Sequence, residues 1–244
     1  LENKKEAMNN SEIVKEILEE FRKNFSQKNL DGMRRFGINV KNGFGTSSQF
    51  YKSLAKKYKK NHEVALLLWQ TGVHDARILA GYLADPKKLT IKQMNEWMQD
   101  FNSWDICDST LMRLFNYSPL AYDLAFKWVN QEGEYQRRAG FVLMASISVH
   151  DKNREDKDFI AFFPLIKKYS SDERNFVKKA VNWCIRQIGK RNIELNKAAI
   201  NLSEELLLSE SKSAQWIAKG ALRELKDKKY QDYILRRSEK QNKK

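Results

Sequence analysis

Three prolines and ten glycines are thinly spread over 244 residues, so the chain has few obligatory breaks. No convincing run of alternating apolar and polar residues is present, which excludes a sheet protein. Only two cysteines occur, Cys107 and Cys184, both inside apolar helical patterns. They imply no disulfide framework and fit a reducing, intracellular (cytoplasmic) setting. The three histidines, His62, His74 and His150, lie far apart and lack the spacing of a metal-binding helix, so no metal site is expected. No apolar run approaches the roughly 20 residues that span a bilayer, no signal peptide is recognisable, and no complete nucleotide-binding fingerprint appears.

What is present is charge and helical periodicity. Lysine and arginine number 45 against 31 aspartates and glutamates, a net charge of +14. More than half of this excess falls in residues 172–244. The charges are dispersed, which favours a basic folded face over a basic disordered tail, and such a face attracts polyanions. Apolar residues recur at spacings of three and four nearly throughout, so the chain is expected to be all-α. A single helical domain is expected over 11–226. Residues 1–10 are expected to be a disordered or extraneous N-terminal segment, and 227–244 a polar basic tail.

The first helix is expected over 11–28 with Ser11 as its N-cap. The stretch Asn42–Gln49, rich in glycine and hydroxyls, reads either as a phosphate-cradling loop or, more simply, as a turn with a Thr46/Gln49 capping box. From residue 61 the helices come in pairs: 62–71 with 74–84, 90–101 with 103–115, and 119–131 with 134–149. Then come 159–169 with 172–190, and 194–208 with 212–226. Thr90 with Gln93 forms an expected capping box, Ser118 is an expected N-cap, and 152–158 reads as a charged connection. The second helices resemble one another, each setting a basic residue beside small ones. Aligning Arg77, Asp108, Arg138, Lys179 and Lys219 gives steps of 31, 30, 41 and 40 residues. Degenerate helix pairs at that period read as a HEAT-like helical-repeat solenoid. Its second helices would line a concave face that is basic at every aligned position but one, Asp108. An irregular helical bundle is the alternative.

The residues that could carry chemistry gather around that exception. Trp104 and Asp108 are four apart and share a helix face. Arg138 lies one repeat further on. Lys178, Lys179 and Trp183 follow in a basic helix where an aromatic face could sit within a phosphate grip. Each also has a plainer reading, since a helical tryptophan usually packs and an aspartate at a helix start usually answers the dipole. Asp105, in the first turn, fits that plainer role better than Asp108. Trp69, Trp97, Trp128 and Trp216 read as packing residues.

Taken in order, Leu67-Leu68-Trp69, Asp75-Ala76-Arg77, Trp104–Asp108, Gln136–Phe141 and Phe176–Asn192 resemble the HEAT-like-repeat DNA alkylation-repair glycosylases of the AlkD type, over most of residues 50–225. The resemblance implies excision of positively charged N3- and N7-alkylated purines from double-stranded DNA, without metal or organic cofactor; a monomer is expected from the size of the solenoid, not from the resemblance. It places the family's catalytic aspartate on Asp108 and its two tryptophans on Trp104 and Trp183. Its DNA-contacting arginine falls on Arg138, with Arg137 as the one-residue alternative. Two other functions fit the same scaffold: a DNA-binding repeat protein without chemistry, and a scaffold for an acidic protein.

Overall fold

The computed structural model describes residues 9–242, with side chains to 236. The expected N-terminal segment thus lies outside the described residues except for Asn9 and Asn10. The described residues are helical with no strand, and they fall into two compact units, one ending at Ser118 and one beginning at Pro119.

The first unit contains α1 (Asn10–Lys23), α2 (Gln27–Arg35), α3 (Ser48–Tyr58), α4 (His62–Gln70), α5 (His74–Leu83), α6 (Ile91–Gln99) and α7 (Trp104–Arg113). The N-cap of α1 is Asn9, not Ser11. Asn9 and Glu12 exchange backbone-to-side-chain hydrogen bonds of 2.9 Å in both directions, a reciprocal box that Ser11 cannot make from inside the first turn. The expected helix over 11–28 also divides. Ser26 caps α2 through Asn29 N–H, while its own N–H is bonded to the Phe44 carbonyl at 2.9 Å, so the chain turns there. Thr90 caps α6 in the capping box with Gln93.

The second unit contains α8 (Ala121–Trp128), α9 (Glu134–His150), α10 (Asp156–Ile160), α11 (Phe163–Tyr169), α12 (Asn175–Gly189), α13 (Ile193–Leu207), α14 (Lys212–Leu225) and α15 (Lys228–Asn242). Ser118 is not a cap. It closes a 3-10 turn over Phe115–Tyr117, and α8 begins only after Leu120. The expected helix over 159–169 is two helices. Pro164, with no N–H to donate, sits in the first turn of α11, where that loss costs nothing. Residues 228–242, expected only as a polar tail, form a helix that buries Ile234.

Second helices do pack on second helices within each unit: α5 on α7, α9 on α12, and α12 on α14. Small residues permit the approach. A Cβ on Gly81 would lie 3.7 Å from the Thr110 backbone, and one on Gly220 only 2.7 Å from the Asn182 amide nitrogen. Gly140 is tighter still: a Cβ there would lie 2.4 Å from Val129 N, so α9 meets the end of α8 only because the side chain is absent. The core of the first unit is built on Trp69 and Trp97, stacked with ring centroids 4.0 Å apart. That of the second is built on Trp128, Phe141, Phe159 and Phe162, all fully buried.

Side chains also tie each repeat to the next. In the first unit Trp69 Nε1 donates to Asp100 Oδ2 at 2.9 Å, and Arg77 Nη2 donates to the same oxygen at 2.9 Å. In the second, Asn182 Nδ2 donates to the Ile217 carbonyl at 2.8 Å and Ser213 Oγ to the Asp172 carbonyl at 2.7 Å. These bonds satisfy buried polar groups and fix the register of neighbouring pairs.

Candidate nucleic-acid interface

Trp104 opens α7 and Asp108 follows one turn later, both half-buried. The indole is fixed by its Nε1, which donates to the Phe36 carbonyl at 2.9 Å. That bond holds one edge of the ring and leaves the polar demand of the indole met.

Asp105 is turned to a different use. Its Oδ1 accepts from Ser103 Oγ at 2.5 Å and from Ile106 N–H at 2.9 Å, and its Oδ2 lies 2.8 Å from His74 Nε2. Burial raises the carboxyl pKa, but the hydrogen bonds and charge around it prevail, and the group sits below the ordinary carboxylate range. His74 is buried, with no partner for Nδ1. The Asp105 carboxylate oxygen accepts, so His74 Nε2 is the donor of this bond. Asp105 therefore serves both the start of α7 and the joint to α5.

The glycine- and hydroxyl-rich loop at Asn42–Ser47 does cradle an anion, and the anion is the protein's own. Asp75, fully buried, accepts from Phe44 N–H at 2.6 Å, Thr46 N–H at 3.0 Å, Thr46 Oγ1 at 2.6 Å and Tyr51 Oη at 2.9 Å. Burial, with the Asp75 charge, pushes the Tyr51 phenol well above its usual range. The Thr46/Gln49 capping box is not formed: Ser47 caps α3, and Thr46 is spent on Asp75. Gly45 makes the loop possible. Its φ is +72°, and a Cβ would lie 2.6 Å from the Ser26 carbonyl oxygen.

The remaining candidates lie in the second unit. Arg138 is only 6% exposed, and its Nη1 donates to the Phe176 carbonyl at 2.6 Å, bracing α9 against α12. Arg137 donates to the Val129 carbonyl at 3.1 Å and to Asp172 Oδ2 at 2.7 Å, with its guanidinium 4.4 Å from the Tyr169 ring centroid. Asp172 also receives Arg174, at 2.5 Å. Burial pushes the Asp172 carboxyl up, and Arg174 with Arg137 outweighs it, holding the group at about 2. Trp183 is half-buried on α12. On the same helix Lys179 is exposed, and half-buried Lys178 lies 5.4 Å from the ring centroid of Trp216 on α14.

Of the aligned basic row, Lys179 and Lys219 are exposed, whereas Arg77 and Arg138 are engaged inside their own units. Trp104 and Asp108 thus stand together in the first unit. Arg137, Arg138, Lys178, Lys179 and Trp183 stand in the second. Trp69, Trp97 and Trp128 pack in the cores, but Trp216 does not: it is 45% exposed. Its neighbours in sequence, Lys212 and Lys219 on one helix, are the signal that could have marked it as a surface aromatic. Asp75 was legible only as part of a motif and the role of His74 not at all, because their partners are some 30 residues distant. Among the described residues no group of three His, Cys, Asp or Glu could hold a metal ion, and no helix is long and apolar enough to cross a membrane.

Helix pairs stacked on helix pairs, with second helices adjoining, define a HEAT-like repeat protein. Residues 17–225 match the family described as DNA alkylation repair enzyme, and the chain belongs to that family. No curated protein sequence matches. The fold is similar to a solved structure described as a new family of proteins related to the HEAT-like repeat DNA glycosylases with affinity for branched DNA structures. The TM-score is 0.71 at 22% identity, over 86% of this chain and 94% of that one.

Proposed function

We propose that the protein is a monofunctional DNA glycosylase that hydrolyses the N-glycosidic bond of positively charged N3- and N7-alkylated purines in double-stranded DNA. The observation that carries this reading is a carboxylate, Asp108, one helical turn from a tryptophan held in place by its own hydrogen bond, in a chain of the alkylation-repair family.

The chemistry asks little of the protein. An alkylated purine cation is already a good leaving group, and its departure builds positive charge on the deoxyribose. A carboxylate at that sugar stabilises the developing oxocarbenium ion and orients a water towards C1′. The face of Trp104 meets a cationic base or an electron-poor sugar through its negative quadrupole. In the second unit, Lys178 and Lys179 supply charge for phosphates and Trp183 a further aromatic face, while Arg138 and Arg137, at the family's arginine position, brace the same helices through the Phe176 carbonyl and Asp172. Contacts to phosphates set position without reading sequence. No step calls for a metal or an organic cofactor.

Chromatography of the bases freed from methylated duplex DNA tests the reading. Wild type is expected to release 7-methylguanine or 3-methyladenine. A second function, DNA binding without chemistry, is favoured by one observation: the similar fold is that of a protein described by its affinity for branched DNA. Salt-dependent binding with no release from any alkylated substrate would select it.

A further inference from the structure

One face of α14, in the last helix pair of the second unit, is both open and cationic. Lys212, Trp216, Lys219 and Arg223 follow one another at steps of four, three and four residues, so they share a side of the helix. At the rise of an α-helix the stripe is about 16 Å long. All four residues are exposed, Trp216 at 45%. None of the three cations takes part in an ion pair among the described residues. Nearby cations do: Lys226 is bonded to Glu204 at 2.6 Å, and Arg186 and Lys190 share Glu224. On α12, Lys179 likewise precedes Trp183 by four residues. Asn182 Nδ2, donating to the Ile217 carbonyl at 2.8 Å, ties α12 to α14, and Lys178 Nζ reaches across to lie 5.4 Å from the Trp216 ring centroid.

We propose that this face of α14 binds a single-stranded DNA segment continuing from the duplex, with a base stacked on Trp216 and phosphates held by Lys212, Lys219 and Arg223. A cationic stripe alone suits any polyanion. An open indole within the stripe selects a polyanion that carries flat rings. A base offers its face to a protein ring only where it has left the duplex stack, and the contact tolerates any sequence because every base has a π-face. Lys178 adds a further positive charge beside that platform. No enclosed pocket is needed, since the platform is an exposed helix face. The inference rests on the protein's binding DNA and adds to that reading a preference for duplexes that continue into a single strand.

Three forms of one duplex test it by fluorescence anisotropy: blunt, with a single-stranded thymine tail, and with an abasic tail of the same length. The two tails carry the same phosphates and differ only in the bases. Wild type is expected to bind the thymine-tailed form about tenfold more tightly than the abasic-tailed one. Trp216→Ala is expected to bind the two tails alike, whereas Trp216→Phe, which keeps a ring, retains the preference. Equal wild-type affinities for the two tails, with the blunt duplex still bound, would overturn the proposal and leave the DNA-binding reading standing. A preference that survives in Trp216→Ala would overturn it too. Failure to bind any of the three forms would remove the DNA-binding reading, and the role of α14 with it.

Discussion

Two aspartates lie three residues apart on α7. Asp105 is enclosed by Ser103, the Ile106 N–H and His74, and its carboxyl is held below the ordinary range. Asp108, one turn on, shares the Trp104 side of the helix. The structural use of Asp105 was legible from position alone, since a first-turn carboxylate answers the helix dipole. The histidine was not, because its link to Asp105 spans 31 residues. Asp172 is the corresponding structural carboxylate of the second unit. Its folded pKa of about 2 lies below the unfolded value, so its contribution is complete above about pH 4 and is lost as pH falls towards 2. Asp172→Asn is expected to cost about 2 kcal/mol at pH 7, from the pKa difference at 1.36 kcal/mol per unit. Urea denaturation at pH 7 and pH 3 checks this: the gap between wild type and variant should narrow at the lower pH.

Among the elements, the Asn42–Ser47 loop depends most on one side chain. Asp75 accepts four hydrogen bonds that hold the loop against α5, and its removal strands buried donors on Phe44, Thr46 and Tyr51. Asp75→Ala is expected to destabilise the first unit by about 3 kcal/mol or more. Hydrogen exchange at the Phe44 and Thr46 amides should rise with it, and unchanged protection there would contradict the assignment. Most helix pairs from residue 61 onward were legible because their apolar spacing is local; the exceptions are 159–169, which divides, and the start of α8, which Ser118 does not cap. The cap of Thr90 with Gln93, equally local, was legible as well. Elements whose ends are set at a distance were not: Ser26 stops α1 early partly through the Phe44 carbonyl, and Thr46 abandons its cap for Asp75. A glycine-rich loop looks the same in sequence whether its anion is a ligand's phosphate or the protein's own carboxylate.

At the scale of the whole molecule, the +14 charge implies attraction to DNA that weakens steeply with salt. The aligned row is basic at every position but Asp108, and the sequence does not show which of its cations are already engaged. Arg77 lies against Trp69 and Asp100, and Arg138 against the Phe176 carbonyl, while Lys179 and Lys219 remain exposed. If the two lysines contact phosphates, Lys179→Ala and Lys219→Ala should each reduce the slope of log affinity against log salt by about 1. Titrations at several salt concentrations measure it; slopes equal to wild type would place both lysines outside the contact. Repeat period and family were legible because they rest on order and spacing along the chain. The measurement that tests the central claim most directly is base release from methylated duplex DNA by wild type and Asp108→Asn, with DNA affinity recorded in parallel. Release by wild type, nearly abolished in Asp108→Asn at undiminished affinity, is the expected result; equal release by the two proteins would contradict the role given to Asp108.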